Sequence, residues 1–155
     1  MSTTQITVLV IGRKLSIEAQ ALADQYVKRL QPWASLEVRL LAPSKSTGLS
    51  AIEDESKRLM ASVKRKDYVI VLDERGVQYA NIQLANHLAK VQEYMKRIVI
   101  IVGGAHGVSQ ELRERAQMVW SLSFLVFPHE LVRIILTEQL YRTFAILNNH
   151  PYHHG

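Results

Sequence analysis

Cysteine is absent from the 155 residues. That excludes disulfides, thiolate nucleophiles and cysteine-ligated zinc or iron–sulfur centres, and it is compatible with a reducing compartment. No apolar span reaches the roughly 18 residues that a membrane helix requires. The apolar stretch from Ile6 to Ile11 has no basic segment before it and does not read as a secretion signal. A soluble cytoplasmic protein without a membrane partner is expected. There is also no basic tail, since Lys and Arg are scattered in pairs apart from Lys64-Arg65-Lys66, and there is neither an internal repeat nor a low-complexity linker.

What is present suits one compact domain over residues 1–155. Hydrophobic residues make up 48% and charged residues 21%, close to the globular average, so a core can be buried. The balance of 19 Lys+Arg against 14 Asp+Glu, a formal +5, points towards an anionic partner such as nucleic acid, or simply to a solvated surface of mixed sign.

Ile6-Thr7-Val8-Leu9-Val10-Ile11, ended by Gly12, reads as a first strand buried on both faces. Ser16 can cap a helix that runs to about Leu30, and Ser35 to Ala42 reads as a second strand. Pro43 to Gly48 is a polar loop, and Ser50-x-x-Glu53 matches a capping box opening a helix expected to end near Lys64. Tyr68 to Leu72 is a third strand, ending at Asp73-Glu74-Arg75-Gly76. Asn81, a candidate cap, opens a helix to Met95, and Arg97 to Val102 is a fourth strand. Ser109 caps a short helix, Val119 to Leu122 supplies a fifth strand, and a long last helix runs from about His129 to Leu147. Strands alternating with helices throughout predict an α/β sandwich, a parallel sheet with helices on both faces.

Ligands of open α/β sheets bind beyond the carboxyl ends of the strands. The candidate segments are therefore Leu72 to Gly76, Gly103-Gly104-Ala105-His106-Gly107 and Ser121 to Pro128. The glycines let backbone approach a ligand closely, or form a plain strand-to-helix turn. They do not match G-x-G-x-x-G and follow the fourth strand, not the first, which argues against a dinucleotide fold. The apolar stretch after the fifth strand is either a core loop or a set of backbone amides and carbonyls facing a planar ligand such as adenine.

The tail Asn148-Asn149-His150-Pro151-Tyr152-His153-His154-Gly155 holds three of the six histidines. Adjacent ligands without a nearby carboxylate suit a metal poorly, so no metal is expected at His150, His153 and His154. Tyr152 can stack on or hydrogen-bond a base, and His153 can exchange a proton near neutral pH. Arg133 and Arg142 on the last helix can contact phosphate, or neutralise Glu130 and Glu138. After the first strand, Gly12-Arg13-Lys14-Leu15-Ser16 reads as a simple turn or an RNA-contacting edge, its single glycine fitting a flavodoxin-like phosphate loop poorly.

Several segments together carry a resemblance. They are Val71-Leu72-Asp73, Ile101 to Ser109, Trp120 to Ser123, Phe127 to Arg133, Glu138 to Arg142 and Asn149 to His153. In order, spacing and total length the chain resembles the SPOUT-class RNA methyltransferases, and within them the small single-domain family that methylates N3 of a pseudouridine in large-subunit (23S) ribosomal RNA. The resemblance implies a C-terminal trefoil knot, a homodimer and S-adenosylmethionine bound by Leu72, Gly103, Leu122, Ser123, Phe124, Leu125, Val126 and Phe127. It also implies that Arg142, Tyr152 and His153 form the catalytic, RNA-facing side, with ribosomal RNA on the ribosome or its large subunit as partner. The chain departs from the family in having His154 where a basic Arg or Lys is usual, and Ala105-His106 where Pro-Glu is frequent. The competing expectation is a non-catalytic ribosome-associated RNA-binding protein of the same fold.

Overall fold

The structure is a computed structural model and describes residues 3–155. Its elements alternate as β1 (Thr4–Ile11), α1 (Ile17–Leu30), β2 (Ala34–Leu41), α2 (Gly48–Ala61), β3 (Tyr68–Val77), α3 (Asn81–Tyr94), β4 (Arg97–Val102), α4 (Gln110–Arg115), β5 (Met118–Trp120) and α5 (His129–Leu147). The five strands form one parallel sheet in the order β2-β1-β4-β3-β5.

Strands buried on both faces need continuous apolar runs, and β1 and β4 have them. On one face Val8, Val10 and Ile100 pack against Leu30 of α1, Leu88 of α3 and Leu136 and Phe144 of α5. On the other, Leu9, Val71 and Ile101 pack against Leu59 of α2 and Leu112 of α4. The expected sandwich with helices on both faces is therefore the fold observed.

Several boundaries differ from expectation, among them β5, which runs over Met118–Trp120 and stops two residues short of Leu122. Strand β3 does not stop at Leu72 but continues through Asp73-Glu74-Arg75-Gly76 to Val77, with a register shift against β5 between Leu72 and Val77. The contact behind this is tertiary. Ser121 N–H donates to Val77 O at 2.9 Å, and a β-carbon on Gly76 would fall 2.5 Å from the Val119 carbonyl oxygen. Helix α2 starts at Gly48, whose φ of +61° costs glycine nothing. Ser50 consequently lies inside the first turn and no capping box forms there, and the helix ends at Ala61, short of Lys64. Asn81 is the first residue of α3 and not its cap. The cap position is Ala80, whose N–H donates to Gln83 Oε1 at 2.9 Å.

Candidate functional site

At the carboxyl ends of β3 and β4 a cleft of about 470 Å³ opens between three segments, namely Leu72–Arg75, Val102–Val108 and Leu122–Phe127, with His129 and Val132 of α5 behind them. All three segments singled out in the sequence meet here. The volume lies in the range of small-molecule sites, about 300–1,000 Å³.

The floor is backbone. Gly104 and Gly107 form a small bridge, with Gly107 N–H donating to Gly104 O at 3.0 Å and Gly107 at φ +85°. A β-carbon on Gly103 would fall 2.7 Å from Val108 Cγ1, and one on Gly104 would fall 2.5 Å from Glu55 Oε1. Both glycines are thus hemmed in from behind and present only main-chain atoms. Asp73 holds the upper wall, pairing with Arg75 at 3.1 Å and with Arg113 of α4.

His129, the first residue of α5, touches this floor. Its Nε2 lies 2.7 Å from Gly103 O. A carbonyl oxygen only accepts, so Nε2 carries the proton and donates. Neither this contact nor the role of buried Glu55, which accepts from Ser44 N–H at 2.8 Å, was expected. The partners lie 26 and 11 positions apart, and the sole local signal was a polar residue opening an apolar helix after Pro128.

The stretch from Leu122 to Phe127 is not a core loop. Phe124, Leu125 and Val126 are 72%, 70% and 76% exposed. Ser123 organises the bend, its hydroxyl accepting from Leu125 N–H at 3.0 Å while its carbonyl accepts from Ser121 Oγ at 2.9 Å. Leu122, Ser123, Leu125, Val126 and Phe127 line the cleft, but Phe124 points elsewhere and is not among its lining residues.

Arg142, Tyr152 and His153 come together around Glu138. Arg142 Nε and Nη2 donate to Glu138 Oε1 at 3.0 and 2.5 Å, Tyr152 Oη donates to the same oxygen at 2.9 Å, and Arg142 Nη1 lies 3.1 Å from His153 Nδ1. The Arg142 guanidinium also sits 4.8 Å from the Tyr152 ring centroid. Burial opposes its charge, but the hydrogen bonds and charge of Glu138 outweigh burial and push its pKa up. None of the three lines the cleft of its own chain. Arg142 lies ten residues beyond Val132 on one helix, about 15 Å along the axis.

The other tail histidines are placed differently. His150 packs edge-on against Trp33 and Tyr141, with ring centroids 5.6 and 6.3 Å away, and His154 is exposed. Among the described residues no three histidine, aspartate or glutamate side chains are grouped to hold a metal ion. Of the two expected arginine–glutamate pairs, Arg142–Glu138 forms. Arg133 instead donates to the carbonyl of Arg13 at 2.7 Å, because Glu130 turns towards Ser16. Burial lowers the pKa of Arg133, with the charge of Glu130 acting against it.

Two phenols hold their protons unusually tightly. Burial first, then the neighbouring Tyr94 and Tyr79, push Tyr68 up to about 12. Burial first, then Glu138 and Tyr26, push Tyr152 up to about 12. Tyr152 is therefore a donor at neutral pH and no base. Because both values are raised on folding, this contribution to stability is complete below the ordinary pKa of 10.0 and is lost as pH climbs through about 12. Following phenolate absorbance, Tyr68 and Tyr152 should titrate only near pH 12. Tyr152→Phe should remove one of those two, and titration of all six together near pH 10 would contradict the assignment.

The chain is similar to known proteins along nearly its whole length. The family described as "Predicted SPOUT methyltransferase" matches residues 4–153. A ribosomal RNA large subunit methyltransferase H of Neisseria gonorrhoeae (strain NCCP11945) is 36% identical over 152 residues, covering 96% of this chain and 97% of the relative. A protein of the same name from Chromobacterium violaceum is 36% identical over 153 residues, covering 96% and 98%. Among solved structures, a tRNA (m1G37) methyltransferase from Aquifex aeolicus superposes with a TM-score of 0.54 at 17% identity, covering 91% of this chain and 70% of that one, a likeness of fold. No helix among the described residues is long and apolar enough to cross a membrane.

Proposed function

The chain belongs to the SPOUT methyltransferase family, whose members are S-adenosylmethionine-dependent enzymes, and from that premise we propose that it methylates N3 of a pseudouridine in large-subunit (23S) ribosomal RNA. The observation that carries this reading is the cleft, where segments following three separate strands line one cavity of small-molecule size with backbone atoms and apolar side chains. The same reading places the substrate on the assembled ribosome or its large subunit in the cytoplasm. It also threads the segment after β5 through the loop after β3 in a trefoil knot.

The cleft residues fit S-adenosylmethionine. Leu72, Leu122, Leu125, Val126 and Phe127 offer apolar contact to a planar base, Ser123 and the main chain around Gly103 offer donors and acceptors to its edge, and any β-carbon on Gly103 would crowd the floor. When bound, the cofactor supplies a methyl group on a sulfonium, so that the N–C bond forms as the S–C bond breaks and the N3 proton must leave. The protein has to hold N3 in line at near-attack distance, which is worth about 7–11 kcal/mol in favourable cases.

The RNA-facing group on α5 is supported as part of a homodimeric site. Leu131, Ile134, Ile135, Glu138 and Arg142 follow helical spacing on one face of α5, and Leu131 is 47% exposed. Along this face a partly exposed apolar stripe near the cleft runs into the Arg142 cluster. An isologous pairing through that stripe brings the Arg142 end of one chain towards the cleft of the other.

Calorimetric titration of the purified protein with S-adenosylmethionine and, separately, with a nicotinamide dinucleotide tests the cofactor. Incubation with ribosomes lacking the modification, read by mass spectrometry of the nucleosides, tests the product. The expected result is saturable binding of S-adenosylmethionine only, lost in Gly103→Val, and one methylated pseudouridine per large subunit. Absence of both binding and product in a folded protein would return the chain to a non-catalytic ribosome-associated role.

A further inference from the structure

The carboxyl edge of the sheet carries more than the cleft. Strands β2, β1 and β4 are consecutive neighbours, about 4.8 Å apart, so the loops that leave them sit side by side along one rim. Gly12 N–H donates to Leu41 O at 3.0 Å, which ties the exits of β1 and β2 together. The first loop carries Arg13 and Lys14, the second Lys45, and the third is the glycine floor.

Both cation-bearing loops are pinned to the cleft wall from behind. Glu130 accepts from Ser16 N–H at 3.2 Å and from its hydroxyl at 2.9 Å. Arg133, almost wholly buried, spends a guanidinium N–H on the Arg13 carbonyl at 2.7 Å. His129, which grips Gly103, lies with Nδ1 3.5 Å from where a β-carbon of Gly12 would be. Buried Glu55 plays the same part for the second loop, accepting from Ser44 N–H at 2.8 Å while its other oxygen abuts Gly104.

Three of the carboxylates at this rim are engaged, while Glu74, exposed at the cleft beside Asp73, takes part in no ion pair among the described residues. Glu55 and Glu130 hold loop backbone and Asp73 holds Arg75 and Arg113. Arg13, Lys14 and Lys45 are exposed and, among the described residues, take part in no ion pair. Ordering a loop backbone with buried side chains while leaving its cations unpaired in solvent suits a surface that receives an anion.

We propose that Arg13, Lys14 and Lys45 form a track that contacts RNA phosphates and lays the strand along the rim towards the cleft. The proposal rests on the reading of the substrate as RNA and adds the surface that seats its backbone. Such contacts set register and orientation and carry no sequence information. Position, and not net charge, is what matters, because Lys64-Arg65-Lys66 offers the same charge in the turn before β3, at the opposite edge of the sheet.

The test is a salt titration of binding to a fluorescent single-stranded RNA oligonucleotide. Each phosphate contact contributes a slope of about −0.7 in log affinity against log salt. The triple variant R13A/K14A/K45A should lose about 2 from the slope, whereas K64A/R65A/K66A and the charge-keeping R13K/K14R/K45R should retain the wild-type slope. S-adenosylmethionine affinity, measured separately, should be the same in all four proteins, so that failure of the cofactor reading and failure of the track are read on different axes. An unchanged slope in R13A/K14A/K45A, or an equal loss in K64A/R65A/K66A, would overturn the proposal.

Discussion

Arg142→Ala should lower the rate of methyl transfer at saturating S-adenosylmethionine by about 10²–10³-fold, the loss typical of removing one preorganised donor to a developing anion. Affinity for the cofactor should change by less than about twofold, because Arg142 does not line the cleft of its own chain. The expectation follows from how the guanidinium is held. Two of its nitrogens are fixed on Glu138 and a third faces His153, so it is preorganised at no cost at the moment of reaction. As N3 of a uracil-type ring loses its proton, charge spreads to the adjacent carbonyl oxygens, where a fixed cation acts best.

The alternative, His153 as proton acceptor, meets a geometric obstacle in this arrangement. An arginine only donates, so His153 Nδ1 accepts at 3.1 Å and the neutral ring carries its proton on Nε2. For His153 to take the N3 proton, Arg142 must first release it. His153→Gln should then leave the shape of the pH–rate profile unaltered if Arg142 is the principal group, and abolish the acid limb if His153 is the base. Arg142→Lys should not rescue the alanine variant, since one ammonium cannot reproduce the fork that spans Glu138 and His153. Loss of cofactor affinity in Arg142→Ala, with the maximal rate intact, would remove Arg142 from the chemistry altogether.

Much of the architecture was legible because it is local. Arg97 to Val102 and His129 to Leu147 begin and end where read, the first as a β-branched run closed by Gly103 and the second as an apolar helix opened by Pro128. What escaped is tertiary. Asp73-Glu74-Arg75-Gly76 has the composition of a turn, yet pairing near β5 carries the strand on to Val77. For Phe124, Leu125 and Val126 apolar composition left a core loop and a ligand-facing loop equally open, and in the single chain they face solvent. The cleft is harder to read from side chains, since its floor is glycine backbone; strand-end position pointed to its three segments, and only the family resemblance pointed to S-adenosylmethionine as the ligand. The grip of His129 on Gly103 and of Arg133 on the Arg13 carbonyl, each joining residues far apart in the chain, leaves no pattern in the sequence.

Mixing two inactive variants should restore activity. Gly103→Val spoils the cleft, because a β-carbon there already meets Val108 Cγ1 at 2.7 Å, and Arg142→Ala spoils the α5 cluster. If Arg142 serves the partner's cleft, a mixed dimer has one cleft that is intact and faces an intact Arg142, and a second site in which both are broken. Random pairing of equal amounts makes about half the dimers mixed, so the mixture should recover about a quarter of wild-type activity. If instead Arg142 served its own chain's cleft, each subunit of the mixed dimer would carry one lesion in its single site and recovery would be nil. The separation of about 15 Å along α5 between Val132, at the cleft, and Arg142 favours the first outcome, because a continuous helix cannot fold back on itself to close that distance. Measuring the two variants apart, and again after co-expression and purification as dimers, distinguishes a shared site from two independent ones.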